Sequence, residues 1–161
     1  MIELSRCGGI AIVRMNHGKA NALDIELCDA LAAQFEACRD AQTKAIVLIG
    51  QGGMFSAGVD LLRLCDAGAP YVRSFLPALH RLYQTVFLFP KPVVAAVNGH
   101  AIAGGCVLQA CRPAHRRLGR GPHWRHRAVG RRAVSSARFR DHAVCHAASI
   151  LCRNGAERRD L

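Results

Sequence analysis

Residues 97–106 read Val-Asn-Gly-His-Ala-Ile-Ala-Gly-Gly-Cys. This glycine-marked turn follows a short apolar run, residues 93–97, that is rich in β-branched side chains. A second glycine-marked turn, Gly-Met-Phe-Ser-Ala-Gly-Val-Asp-Leu, occupies residues 53–61 and follows the apolar run of residues 45–49. Glycine lacks a Cβ, so the backbone of such turns can approach a ligand closely and can adopt positive φ. Two such turns can direct two backbone N–H groups at one substrate oxygen, which is the arrangement of an oxyanion hole. Each turn taken alone is also compatible with an ordinary strand-to-helix connection.

The two turns, together with the upstream segment Lys19-Ala20-Asn21-Ala22-Leu23, resemble the crotonase superfamily of enoyl-CoA hydratases and isomerases. The three motifs stand in the order of that family, and the resemblance covers residues 1 to about 111. It implies an acyl-CoA thioester as substrate and no resident cofactor or metal. Members of the family form trimers or hexamers through an interface that their C-terminal helices complete, and this chain would lack those elements. It also implies an α/β fold with the family's repeated ββα spiral, of which this chain would hold the N-terminal part only.

The resemblance implies roles for individual positions. In the family, the two N–H groups of the oxyanion hole belong to the residue after Phe-Ser-Ala-Gly and to the first glycine of the Gly-Gly pair, here Val59 and Gly104. The Lys-Ala-Asn-Ala-Leu segment of the family passes along coenzyme A. The residues that inherit a substrate-binding role are Lys19, Ala20, Ala22, Ala57, Gly58, Asp60, Leu61 and Gly105.

The chain departs from the family at the groups that would move protons. Val107 stands where hydratases carry one catalytic glutamate, and the second would lie beyond Arg112, where the sequence no longer resembles the family. Hydration needs a general base for water and an acid for the α-carbon, and neither can be assigned. We therefore expect an isomerase-like reaction that uses a single carboxylate, or a chain that has lost its activity.

Positive charge is concentrated at the end of the chain. Residues 1–111 hold nine basic and eight acidic residues, a net charge of +1, whereas residues 112–161 hold 13 Arg, no Lys and three acids, a net charge of +10. We interpret residues 1–111 as an incomplete acyl-CoA-binding domain and residues 112–161 as an irregular basic tail, disordered or translated out of frame. The alternative is a catalytically dead fragment whose tail binds polyanions such as RNA without specificity.

Hydrophobic patterning over residues 1–111 alternates strand-like and helix-like segments, which predicts an α/β layered fold. Strands are predicted over residues 2–5, 10–15, 45–49 and 93–97, with a hairpin turn at Gly8-Gly9. Helices are predicted after the N-cap Asp24, over residues 60–66 and 71–88, with a break at Gly68-Ala69-Pro70, and from Gly104 onward. The predicted buried faces comprise Cys28, Leu31, Phe35 and Cys38 on the first helix and Phe75, Leu79, Leu82 and Val86 on the long one.

Other function classes find little support. Ser56 does not lie in the Gly-x-Ser-x-Gly motif of a nucleophile elbow, and His100 beside the second turn is expected to be solvated. The eight cysteines form no Cys-x-x-Cys pair, which favours reduced thiols in a cytosolic protein over a metal or disulfide site. The N-terminus lacks the pattern of a secretory signal, and no apolar run approaches the ~20 residues of a membrane span. We therefore expect a soluble cytoplasmic protein.

Overall fold

The computed structural model describes residues 1–110, so the predicted basic tail of residues 112–161 lies outside the described residues. Strands and helices alternate along this part of the chain, as the patterning predicts. The strands are β1 (Ile2–Cys7), β2 (Ile10–Met15), β3 (Ala22–Leu23), β4 (Ala45–Ile49), β5 (Met54–Ser56), β6 (Gly58–Val59), β7 (Val93–Ala96) and β8 (His100–Ala101). The helices are α1 (Ile25–Ala37), α2 (Leu61–Phe87) and α3 (Gly104–Ala110).

The main sheet has four strands in the order β1-β2-β4-β7. Strands β1 and β2 form the predicted antiparallel hairpin, whose turn residues Gly8 and Gly9 have φ of 54° and 84°. Strands β2, β4 and β7 run parallel to one another. Every residue of β4 is buried, as expected for a parallel strand that is covered on both faces.

Each parallel strand of the main sheet is followed by one or two short strands and then by a helix. The chain runs from β2 through β3 to α1, from β4 through β5 and β6 to α2, and from β7 through β8 to α3. The short strands join successive repeats, because β3 pairs with β6 and β5 pairs with β8, both in parallel. The α/β fold class and the ββα repeat are therefore confirmed for the described part of the chain.

Helix α1 begins where its cap residue predicts. The Asp24 side chain accepts a hydrogen bond of 2.8 Å from the Leu27 N–H, which satisfies one of the free donors at the helix start. The helix packs against the core with Leu27, Cys28, Leu31, Ala32 and Phe35, and the C-cap residue Cys38 is also buried. The predicted buried face of the first helix is confirmed.

Helix α2 consists of two helical parts that meet at a kink, and the kink is the predicted break. Gly68 has φ of 65° and ψ of −162°, which interrupts the helix, and Pro70 follows in the next turn, where its missing N–H costs least. The helix then continues to Phe87 and buries Phe75, Ala78, Leu82 and Val86. Leu79, which is predicted on this face, is only partly buried. The smaller Ala78 lies nearer to the centre of the buried face of α2.

The buried thiol of Cys28 makes stability depend on alkaline pH. Burial, assisted by Asp24 and Asp29, raises its pKa from 9.0 to about 12. The unfolded chain therefore releases this proton at lower pH than the folded chain, and folding stability falls as pH rises from about 9 toward about 12. We expect Cys28→Ala to lose less of its free energy of unfolding over that range than the parent, as measured by urea denaturation. Equal losses would exclude Cys28 as the cause.

Candidate active site

The two glycine-marked turns lie side by side because the strands that carry them are paired. Met54 pairs with His100 and Ser56 with Ala101 in the β5·β8 ladder. The Ile102 N–H then donates a hydrogen bond of 3.0 Å to the Ser56 carbonyl. The chain after β8 therefore follows the chain after β5 into one common region of the molecule.

Asn98 locks the second turn against the loop that precedes β5. Its side chain is buried; Oδ1 accepts a hydrogen bond from the Gly50 N–H, and Nδ2 donates one to the Gly52 carbonyl, each of 2.9 Å. A β-carbon on the next residue, Gly99, would lie only 1.8 Å from the Gly53 carbonyl oxygen. The close backbone approach expected of these glycines is therefore present at Gly99.

Asn21 holds the Lys19–Leu23 segment against strand β5 through side-chain hydrogen bonds. It is buried with φ of 48°, and its Nδ2 donates a hydrogen bond of 3.2 Å to the Phe55 carbonyl. Its own carbonyl accepts a hydrogen bond of 2.8 Å from Ser56 Oγ, which also accepts from the Gly58 N–H at 3.1 Å. Ser56 is fully buried in this network, which gives it a structural role and agrees with the absence of a nucleophile-elbow motif.

The backbones of the two predicted oxyanion positions are close neighbours. Gly58 has φ of 82°, and a β-carbon on it would lie 2.7 Å from the Gly104 nitrogen and 2.6 Å from the Ile102 carbonyl oxygen. A β-carbon on Gly104 would lie 3.4 Å from the Val59 nitrogen. Val59 and Gly104, which are 45 positions apart in the sequence, are thus brought together.

The direction of the two N–H groups follows from their elements. The Asp60 N–H donates a hydrogen bond of 3.0 Å to the Leu23 carbonyl, and successive N–H groups of an extended chain point to opposite sides. The Val59 N–H is therefore directed away from β3. Gly104 is the first residue of α3, and a residue at that position has no acceptor for its N–H within the helix.

Positive φ in the second turn belongs to Ala103, not to either glycine of the pair. Ala103 has φ of 45°, a conformation that costs a residue with a Cβ on the order of 1 kcal/mol or more. Gly105 is needed for space instead. A β-carbon on Gly105 would lie 2.5 Å from the Ser56 carbonyl oxygen, so α3 packs directly on the backbone of β5.

The remaining residues that the resemblance singles out surround the first turn. The Ala20 carbonyl accepts a hydrogen bond of 2.9 Å from the Ala57 N–H, and Ala22 pairs with Gly58. The Lys19 side chain is exposed, and Leu61 is 67% exposed. Neither side chain is therefore drawn into the core beside the turns.

Carboxylates near the first turn are engaged in caps and ion pairs. Asp60 accepts the Arg63 N–H at 3.0 Å as the N-cap of α2. The guanidinium of Arg63 binds Asp24 Oδ2 at 3.1 Å and both oxygens of Glu26 at 2.6 and 2.7 Å. The hydrogen bonds from Arg63 lower the pKa of Glu26. His17 Nε2 lies 2.6 Å from the same Asp24 oxygen, so this cluster ties α1 to α2.

The sequence also led to expectations for Val107, for His100, and for metal sites and membrane spans. Val107 is 47% exposed on α3 and offers no group that can move a proton. His100 is exposed, as expected. Within residues 1–110, no group of three or more His, Cys, Asp or Glu is placed to hold a metal ion, and no helix is long and apolar enough to cross a membrane.

Asn21 and Asn98 are two residues whose roles the sequence does not reveal. Both lie in the quoted motifs, and both make side-chain hydrogen bonds to backbone groups that are more than 30 positions away. An Asn before or within a tight turn is a signal for side-chain hydrogen bonding to backbone. The distant partners cannot be read from that signal.

Comparison with known proteins gives consistent results for the described part of the chain. The family model described as enoyl-CoA hydratase/isomerase matches residues 5–112. Carnitinyl-CoA dehydratase of Salmonella paratyphi B is 36% identical over 109 residues, which cover 66% of this chain and 41% of that protein.

Solved structures agree in fold. An enoyl-CoA hydratase from Mycobacterium ulcerans is similar with a TM-score of 0.64 and 32% identity over 69% of this chain and 49% of that one. Human mitochondrial delta3-delta2-enoyl-CoA isomerase has a TM-score of 0.66 at 24% identity over 68% of this chain and 44% of that one, a likeness of fold alone. The chain spans less than half the length of the curated relatives that it matches.

Proposed function

Because the chain belongs to the enoyl-CoA hydratase/isomerase family, we propose that it binds an acyl-CoA thioester and holds the thioester oxygen between the N–H groups of Val59 and Gly104. The observation that carries this proposal is the contact between the two turns, in which the Gly58 β-carbon position lies 2.7 Å from the Gly104 nitrogen. Two N–H donors that converge on one oxygen stabilise the negative charge that develops there.

The reaction that this arrangement favours is proton removal from the carbon next to the thioester carbonyl. When a base accepts that proton, the electron pair of the broken C–H bond moves onto the carbonyl oxygen, which becomes an enolate oxygen, and each hydrogen bond to it strengthens. Loss of one such donor costs on the order of 3 to 4 kcal/mol of transition-state stabilisation. Exposed Lys19 is suited to pair with phosphate groups of coenzyme A, while the backbone of Ala20 and Ala22 lies beside the first turn.

Within the family, we place this chain nearer to the isomerase-like branch than to hydratases with two glutamates. Val107 replaces one glutamate, and the carboxylates of Asp24 and Asp60 serve as helix caps. Because neither carboxylate of the family's acid/base pair can be assigned, hydration of an enoyl-CoA is expected far below the ordinary enzymatic range of about 1 to 1,000 per second. The cytoplasmic location stays a prediction, and so does the incomplete oligomer interface.

A second candidate function follows from charge. The net charge of +10 over residues 112–161 favours nonspecific binding of polyanions such as RNA, with an affinity that falls steeply as salt rises. Coenzyme A carries phosphates as well, so binding of an acyl-CoA by itself does not distinguish the two functions.

The distinguishing experiment compares two unreactive analogues by calorimetry at about 0.3 M salt. In one, the thioester sulfur is replaced by CH₂, so the carbonyl is kept as a ketone. The other is an S-alkyl thioether of coenzyme A with no carbonyl. Both carry the same phosphates, so the proposed site predicts that the ketone binds roughly tenfold or more tightly. Equal affinities would contradict the site and, if they fell with salt in parallel with RNA binding, would favour the polyanion function.

The proposed donor at Val59 is a backbone group, which predicts tolerance of side-chain truncation. Val59 is partly buried against the core, so Val59→Ala is expected to cost on the order of 1 kcal/mol of unfolding free energy. Its ratio of ketone to thioether affinity should stay within about twofold of the parent, because the N–H is kept. A collapse of that ratio in a folded Val59→Ala protein would mean that the side chain, and not the backbone, makes the contact.

A further inference from the structure

We infer that Tyr83 is a positioning residue for the second oxyanion donor, because its hydroxyl hydrogen bonds to Gly104 and fixes the orientation of that residue. The inference rests on the proposed function, in which the Gly104 N–H contacts the substrate oxygen. Tyr83 lies on α2, outside all three motifs that point to the site.

The contact joins helix α2 to the first residue of helix α3. Tyr83 Oη donates a hydrogen bond of 3.1 Å to the Gly104 carbonyl, and the bond is partly shielded from solvent. A β-carbon on Gly104 would lie 3.0 Å from Tyr83 Oη and 3.4 Å from the Val59 nitrogen. The hydroxyl and the first proposed donor therefore lie on the same side of Gly104.

Gly104 requires such an external restraint. Glycine has the largest conformational freedom of any residue, and the residue before it, Ala103, is held at φ of 45°, which is unfavourable for a side chain with a Cβ. Contacts with strands β5, β6 and β8, among them the close approach of Gly105 to Ser56, place α3 as a whole. The hydrogen bond from α2 acts on Gly104 itself, because it holds the carbonyl that follows the residue and so limits the backbone rotations that would turn its N–H.

Tyr83 itself is well anchored. Its ring is partly buried against the core, and it borders an open groove on α2 together with Phe87 and Leu88, which are 57% and 66% exposed. Because Phe keeps the ring, Tyr83→Phe preserves both the packing and the groove, and it removes the hydroxyl that bonds to the Gly104 carbonyl. The variant therefore tests the effect of the Tyr83 hydroxyl on Gly104 separately from the packing of the Tyr83 ring.

Helix α2 also provides a matched control. Tyr71 accepts a hydrogen bond of 3.4 Å from the Ile25 N–H at the start of α1. Tyr71→Phe thus removes a tyrosine hydroxyl that bonds to backbone from the same helix, at a place that does not contact either turn through that bond.

The test uses the full chain with the ketone analogue, labelled with ¹³C at its carbonyl, and with the S-alkyl thioether. In the parent, hydrogen bonds to the ketone should move its infrared carbonyl band to lower frequency than in water. In Tyr83→Phe we expect a smaller band shift and a ketone affinity roughly two- to tenfold weaker, with thioether affinity unchanged. Tyr71→Phe should match the parent in both measurements.

Each other outcome overturns the inference. An unchanged band and affinity ratio in Tyr83→Phe would show that the hydroxyl does not position Gly104. Loss of the helical circular dichroism spectrum, or equal weakening of both analogues, would make Tyr83 a structural residue. If the parent shows neither a band shift nor a preference for the ketone, the proposed function fails first and the inference fails with it.

Discussion

Replacement of Gly58 by Ala is expected to abolish the preference for the ketone analogue and to destabilise the fold by on the order of 3 kcal/mol or more. Two effects add at this position. The residue has φ of 82°, and its β-carbon would lie 2.6 Å from the Ile102 carbonyl oxygen and 2.7 Å from the Gly104 nitrogen. Both are backbone atoms, so the clash can be relieved only if the two turns move apart. Urea denaturation and calorimetry measure the two losses.

Gly8→Ala is the control for this variant. Gly8 also has positive φ, 54°, but a β-carbon there would meet no atom within 4 Å. The control therefore introduces backbone strain of about 1 kcal/mol without a clash, and it should leave the ketone preference intact. Similar stability losses in the two variants would show that contact between the turns contributes little.

Replacement of Gly104 by Val is expected to remove the ketone preference while most of the stability is kept. Gly104 lacks positive φ, so backbone strain is not the cause. Its β-carbon would lie 3.0 Å from Tyr83 Oη, 3.2 Å from Leu23 Cδ1 and 3.4 Å from the Val59 nitrogen, and the two further methyl groups of Val would fill the space that the thioester oxygen needs. Calorimetry with both analogues measures the effect, and thermal unfolding checks the fold.

Gly53→Val is the matched control, because Gly53 lies in the first turn and a β-carbon there would meet no atom within 4 Å. It should bind both analogues as the parent does. If folded Gly104→Val also kept the parent's ketone preference, the second turn would not be the ligand site, and the proposed function would lose its main physical support.

Local signals in the sequence are sufficient to predict much of the fold. The continuous apolar run of β4, the cap at Asp24 and the break at Gly68 each depend on a few neighbouring residues, and each is present in the structure. Likewise, the two glycine-marked turns were recognisable as a pair because their motifs resemble one family. Contacts across the fold were not predictable in this way.

The unpredicted part of the site consists of pairings between distant residues. Asn98 bonds to groups 46 and 48 positions away, and Tyr83 bonds to Gly104 across 21 positions. The residues next to them in sequence do not indicate which distant groups they bond to. The strain at Ala103 was also missed, because a non-glycine residue with positive φ is held by its surroundings and not by its own preference.

The interlocking of the turns by Asn98 has a consequence for how the molecule folds. The segment between Gly50 and Asn98 contains the whole of α2, so this contact closes a long loop and its entropy must be offset by many native interactions. Contacts of such high sequence separation form late and slow the folding of a domain. A ligand that bridges the two turns would bind only chains in which this loop has closed, and would raise their population by mass action. An acyl-CoA analogue is therefore expected to raise the unfolding temperature of this chain.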